Sequence, residues 1–199
     1  MELLVLEPCR YTRLGINLFI KNEKNINVNY ISTLDALIDG GVEKNPDIIL
    51  ANLTPYCKHA PRDLPLQTFF RYPQRATCFI YTQAHYPYTQ LPLYLQREIY
   101  LINKKMTPAL LRLLCSHVPR QTSPVPLLTQ RYGAWPLLTP REIMVMHDWM
   151  QQTPNHRIAQ RLRLSPRTVY AYKRRLVEKM RVRNRIELCY LYNLIRHIY

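Results

Sequence analysis

Four helix-start signals follow one another between residues 139 and 187, with no strand pattern among them. Thr139-Pro140-Arg141-Glu142 has the form of a capping box. The threonine hydroxyl accepts from the N–H three residues on, the glutamate reaches back, and the proline sits where a missing N–H costs nothing. Asn155 is expected to cap a second, short helix ending near residue 162. Ser165-Pro166 repeats the cap-plus-proline signal and opens a third helix to about residue 180. Asn184, with Glu187 three residues on, opens a fourth that runs almost to the end of the sequence. A series like this leaves room for little except a small all-α bundle over residues 137–199.

The third helix carries the chemistry. With residues about 100° apart, Val169, Leu176 and Met180 fall in one narrow sector, flanked by Tyr172 and Lys173, and form the expected buried seam. Arg167, Tyr170, Ala171, Arg174 and Glu178 fall opposite. A merely solvated stripe would mix long polar chains, whereas this one sets a small and a flat side chain between two arginines. The turn from the second helix to the third is short, which predicts a helix-turn-helix whose second member enters the major groove of duplex DNA. Arg167 and Arg174 suit guanine, Tyr170 a base or phosphate, and Ala171 a thymine methyl. Arg161, Arg163, Lys173, Arg175 and Lys179 lie toward the rim and are expected on phosphates, which position without specifying.

Charge agrees with this. The chain has a formal charge of +15, and residues 137–199 hold thirteen Lys/Arg against four acids, while residues 1–118 hold thirteen against nine. The excess is concentrated where polyphosphate would lie. Five cysteines, spread widely and never in a Cys-x-x-Cys pair, read as reduced thiols rather than a disulfide frame or zinc site. No apolar run approaches the roughly 20 residues that span a bilayer, and no signal-peptide pattern opens the chain. A soluble, intracellular protein without membrane, metal or cofactor is expected. No nucleophile–base pair, ligand cluster or phosphate loop suggests an enzyme.

Upstream, residues 119–136 contain Pro119, Pro124, Pro126 and Pro136 and read as a semi-rigid linker. Before it, apolar runs at 3–6, 26–31, 47–53, 77–82 and 98–103 alternate with helical patterns. Those patterns cover 11–21, where Leu14, Leu18 and Phe19 recur at helical spacing, 33–43 and 108–117. Residues 54–76 give no clear pattern. Strands separated by helices predict an α/β fold over residues 1–118, a doubly wound parallel sheet covered on both faces.

Residues 138–188 resemble the LuxR/FixJ-type DNA-binding domain throughout. The matching positions are Leu138 to Glu142, Asn155, Ile158-Ala159, Leu162, Leu164-Ser165, Thr168-Val169, Lys179-Met180, Val182, Asn184-Arg185 and Glu187-Leu188. Arg157, Arg163 and Tyr172 stand where that family usually has Glu, Gly and His. The resemblance implies dimerisation through the fourth helix, with Ile186, Cys189, Tyr190, Asn193 and Leu194 as candidates; intradomain packing is their alternative role.

The N-terminal pattern is similar to the receiver domain of response regulators. That likeness implies a carboxylate nucleophile after the third strand, an acidic pair for magnesium after the first, a hydroxyl after the fourth and a lysine after the fifth. The corresponding residues are Asn52, Glu7 before Pro8, Thr82 and Lys104, so a pseudoreceiver that takes no phosphate is expected. A looser similarity, carried by residues 9–15, the degenerate acidic site and Lys173 after Tyr172, is to the Rcs-type auxiliary regulators. It implies a DNA-binding activator in the bacterial cytoplasm, at the nucleoid, acting as a homodimer or as a heterodimer with an Rcs-type response regulator. The alternative is an interaction protein that sequesters another regulator through its pseudoreceiver.

Overall fold

The computed structural model describes residues 1–23, 25–38, 46–57, 64–71, 76–82, 87–88, 92–116 and 138–199. The expected linker at 119–136 lies outside them, as does the second half of the helix expected at 33–43.

Residues 1–116 build a six-stranded sheet in the order β2-β1-β3-β4-β6-β5. The strands are β1 (Glu2–Leu6), β2 (Asn27–Ile31), β3 (Ile48–Asn52), β4 (Thr77–Tyr81), β5 (Leu93–Gln96) and β6 (Ile99–Leu101). Helices α1 (Arg10–Ile20), α2 (Asp35–Ile38), α3 (Leu64–Arg71) and α4 (Thr107–Ser116) flank it. Because side chains alternate across a strand, the two faces sort by parity. Leu3, Val5, Ile48, Leu50, Phe79 and Tyr100 pack with Ile16 and Ile20 of α1 and Leu110 and Leu111 of α4. Leu4, Leu6, Ile49, Ala51, Ile80 and Leu101 pack with Leu34 and with Leu66, Phe69 and Phe70 of α3.

One expectation changes. The sheet is parallel except at its edge, where β5 pairs antiparallel with β6. Arg97 and Glu98 turn this hairpin at φ 50° and 59°, a conformation that asparagine and glycine usually mark, so the sequence carried no hairpin signal. In α1, the side that repeats as Leu14 and Leu18 is not the buried one. Ile16 and Ile20 face the sheet, while Tyr11, Leu14 and Leu18 are 86, 55 and 62 % exposed.

Residues 138–199 form α5 (Pro140–Met150), α6 (Asn155–Leu162), α7 (Pro166–Lys179) and α8 (Arg185–Ile195). Both Thr139 bonds of the capping box are present, and Ser165 and Asn184 accept from Thr168 N–H and Glu187 N–H. Asn155 does not cap. The N-cap is Pro154, and the Asn155 amide oxygen instead accepts from Lys173 Nζ at 2.5 Å, tying α6 to α7. Val145, Met146, Ile158, Val169, Leu176, Met180, Leu188, Leu191 and Leu194 form the core of this bundle.

The two parts meet along α8 and the chain end. Asn193 Nδ2 donates to Cys57 O at 3.3 Å and the Tyr199 hydroxyl to Leu95 O at 3.0 Å. Tyr88 N–H donates to Arg181 O at 2.9 Å, its hydroxyl to Glu187 Oε1 at 3.0 Å, and Arg183 lies 4.1 Å over its ring.

Candidate nucleic-acid interface

The turn between α6 and α7 depends on one unusual backbone position. Arg163 ends α6 at φ 54°, ψ 48°, the left-handed region, and Leu164 N–H then reaches back to Ala159 O at 2.8 Å. Glycine is the residue that suits this place, and a side chain there costs about 1 kcal/mol. The arginine at this position is exposed.

From Ser165 the chain enters α7, whose buried side is Val169, Leu176 and Met180, all at 0 % exposure. Arg167, Tyr170, Ala171, Arg174 and Glu178 are exposed, and Tyr170 at 66 % carries its ring in solvent. The structure therefore brings all four expected base-reading residues to one accessible face. Arg174 Nε donates to Glu178 Oε1 at 3.0 Å, one turn on, which holds the guanidinium along the helix surface. Arg175 is also exposed, with its guanidinium 5.9 Å over the Tyr172 ring.

Three residues expected on phosphates have their charge engaged within the bundle. Lys179 Nζ pairs with Glu142 Oε2 at 2.7 Å, and that carboxylate is nearly fully buried. Lys173 donates to Asn155 and lies 5.0 Å over the Trp149 ring; burial, then the nearby Arg185, lowers its pKa. Arg161 reaches the buried Asp148 at 2.5 Å. Helical projection alone did not reveal these pairings, because their acceptors sit on α5 and α6.

Among the candidates on α8, Leu194 is wholly buried in the bundle core and cannot present a surface. Asn193 is bonded to Cys57 O. Ile186, Cys189, Tyr190 and Asn193 line an open cleft of about 740 Å³ with Cys57 and Met150, and Ile186 is 80 % exposed.

At the carboxyl ends of β1, β3 and β4, Glu7 and Asn52 are buried together. Asn52 Nδ2 donates to both Glu7 oxygens at 3.0 and 3.1 Å, the Tyr81 hydroxyl donates to Oε2 at 2.5 Å, and Cys9 N–H to Oε1 at 2.9 Å. Asn52 Oδ1 in turn accepts from Thr54 N–H and hydroxyl. This donor set does not fit magnesium: one carboxylate, already saturated by four hydrogen bonds, faces N–H and O–H groups rather than further oxygen ligands. Tyr81 escaped the sequence reading, although an aromatic at the end of a central strand, one residue before Thr82, was visible. Burial and the bond to Glu7 raise its pKa. Thr82 is buried, and the Lys104 ammonium lies 5.9 Å over the Tyr81 ring.

Residues 2–124 match the family profile "Transcriptional regulator RcsA, N-terminal dimerisation domain", and residues 136–192 match "Bacterial regulatory proteins, luxR family". The transcriptional regulatory protein EntR of Citrobacter freundii is 25% identical over 190 residues, covering 93% of this chain and 94% of that protein. RcsA of Pantoea stewartii subsp. stewartii is 19% identical, over 93% and 90%. In fold, the chain is similar to RcsB from Salmonella enterica serovar Typhimurium bound to promoter rprA, with TM-score 0.52, 18% identity and 98% of each chain covered. The first profile spans more than half of the sequence, so the chain belongs to the RcsA family of transcriptional regulators, a dimerisation domain followed by a LuxR-type DNA-binding domain.

Proposed function

We propose that the protein activates transcription by reading a specific duplex site with the exposed face of α7, as a homodimer or beside an Rcs-type response regulator, without itself being phosphorylated. The observation that carries this reading is the side-by-side exposure of Arg167, Tyr170, Ala171 and Arg174 on a helix whose opposite side is the bundle core. Arg163 and Arg175 are assigned to phosphates, whereas Arg161, Lys173 and Lys179 hold α5, α6 and α7 together. The chain divides at 1–118, 119–136 and 137–199 in this reading, since the described part of α4 runs to Ser116 and α5 opens at Pro140. The protein is not an enzyme and works on chromosomal DNA in the bacterial cytoplasm.

Fluorescence anisotropy with a genomic site and a scrambled duplex, at fixed salt, tests the proposal. A ratio of roughly 10³ or more is expected. Equal affinities, even with the partner regulator added, would favour a protein that sequesters another regulator instead. In the same assay Arg174→Ala weakens cognate binding by about 1–3 kcal/mol and relaxes base preference. Equal losses on both duplexes would remove its base contact. Arg163→Gly is expected to act oppositely on fold and function. It relieves the left-handed strain and stabilises the bundle by about 1 kcal/mol, yet weakens every duplex alike and flattens the salt slope by about one. Unchanged affinity would exclude a phosphate role for Arg163.

For the dimer, the apolar stripe of Tyr11, Leu14 and Leu18 on α1 is the surface assigned to a second subunit, since solvent otherwise covers three large apolar side chains at helical spacing. The double substitution Leu14→Glu/Leu18→Glu should leave the circular-dichroism spectrum of the folded protein unchanged and shift the sedimentation coefficient to that of a monomer. A dimer that survives it rules this face out.

A further inference from the structure

The helices α1 and α4 do not close over the sheet along their whole length. Between them is a crevice of about 320 Å³, lined by Gly15, Ile16 and Phe19 from α1, Lys104 from the turn after β6, and Thr107 and Leu111 from α4. Tyr81, at the carboxyl end of β4, also borders it. Open α/β sheets bind ligands beyond the carboxyl ends of their strands, and the crevice opens there. Its volume is that of a small-molecule site, and its walls are mainly apolar, with Thr12, Tyr81, Lys104 and Thr107 as the polar lining residues.

Two of these, the Thr107 hydroxyl and the Lys104 ammonium, have no hydrogen-bond partner among the described residues. Thr107 is 8 % exposed, and its Oγ1 has no hydrogen-bond partner. A buried hydroxyl without a partner is costly and rare. Among the described residues no carboxylate pairs with Lys104; its ammonium lies over the Tyr81 ring, whose hydroxyl is already bonded to Glu7. A hydroxyl donor and an ammonium lining one crevice suit an anionic oxygen. Gly15 supplies an independent observation. It interrupts the middle of α1, where glycine weakens a helix, yet a Cβ built there meets nothing within 4 Å. Among the described residues of one subunit no packing contact requires the glycine, and its missing side chain leaves the crevice open.

We propose that this crevice binds a small organic monoanion, a carboxylate with an apolar body, its head on Lys104 Nζ and Thr107 Oγ1 and its body against Ile16, Phe19 and Leu111. The site is separate from the α7 face, so it stands or falls independently of the DNA reading.

Calorimetric titration of the full-length protein with octanoate tests it, with inorganic phosphate and variants as further arms. Octanoate should bind, and Lys104→Met should weaken it about tenfold or more, as expected when a charged hydrogen bond is lost, while Lys105→Met on the neighbouring residue leaves it unchanged. Gly15→Leu, directed into open space, should abolish binding in a folded protein. Thr107→Val should raise the thermal midpoint, by removing an unsatisfied hydroxyl, and at the same time weaken octanoate. A residue with only a structural role does not give that combination. Absence of octanoate binding at about millimolar concentration would overturn the proposal. So would affinity unaffected by both Lys104→Met and Gly15→Leu, or phosphate binding as tight as octanoate.

Discussion

Asn52→Asp, which restores a carboxylate where a receiver would carry its phosphate, lowers the stability of the sheet domain by about 3 kcal/mol near neutral pH and does not create a phosphate acceptor. The amide at position 52 is a structural partner. Its nitrogen donates to both oxygens of the buried Glu7, and its oxygen accepts from Thr54. The substitution leaves the Thr54 bonds intact but turns the two donated bonds into contact between carboxylate oxygens about 3 Å apart, in a site shielded from water. The pair resolves this by holding a proton, so its folded-state pKa rises above the unfolded value of roughly 4. The sign of the pH dependence follows. Above that unfolded value the folded form must bind a proton that the unfolded chain does not, so the deficit relative to wild type grows with pH and shrinks as pH falls through about 4. Urea unfolding of both proteins at about pH 7 and pH 4 measures it. Acetyl phosphate with magnesium, read by mass spectrometry, checks the chemistry. A one-phosphate mass increase at position 52 would overturn the claim that no acceptor is created, and a deficit equal at both pH values would show that Glu7 and residue 52 are not coupled as described.

How much of this could be read from the sequence differs between the two domains for a physical reason. Helix caps are local: Thr139, Ser165 and Asn184 each bond within three residues, so spacing alone locates α5, α7 and α8. The exposed and buried sides of α7 were legible in the same way, because helical period fixes them. What escaped depends on groups far apart in the chain. Lys179 finds Glu142 from 37 residues away, and Tyr81 finds Glu7 from 74, and no periodicity encodes such meetings. Which side of α1 meets the sheet could not be read from the sequence, because the side opposite Ile16 and Ile20 carries large apolar residues too. Periodicity reports an apolar stripe without saying whether a sheet or a second subunit covers it. Asn155 looked like a cap because residue type fits, but its oxygen is held by Lys173 from the facing helix.

The Glu142–Lys179 pair ties α5 to α7 through a buried carboxylate, and Glu142→Ala should destabilise the DNA-binding bundle by about 3 kcal/mol. Glu142 is 1 % exposed and does two things. Its Oε2 accepts from Thr139 N–H at 2.8 Å, closing the box that starts α5, and the same oxygen takes the Lys179 ammonium from the last turn of α7. Alanine removes the reciprocal bond to Thr139 N–H, while the Thr139 hydroxyl still accepts from the backbone of residue 142, and it leaves a half-buried ammonium without its partner. Glu142→Gln separates the two contributions, since an amide oxygen still accepts from Thr139 but carries no charge. Burial raises the Glu142 pKa, but the bonds from Lys179 and Thr139 outweigh it and leave the carboxyl below its ordinary value. A depressed folded-state pKa means that the stabilisation is present above the unfolded value of about 4.3 and is lost as pH falls through the folded one. The difference between wild type and Glu142→Gln in urea should therefore be full near about pH 7 and narrow steadily below pH 4. Lys179→Met provides the mirror test. If the pair acts as described, that variant loses stability and its DNA affinity falls only as the folded fraction falls. A Lys179→Met protein of wild-type stability that binds every duplex more weakly would return Lys179 to the phosphate backbone and leave Glu142 as a cap alone.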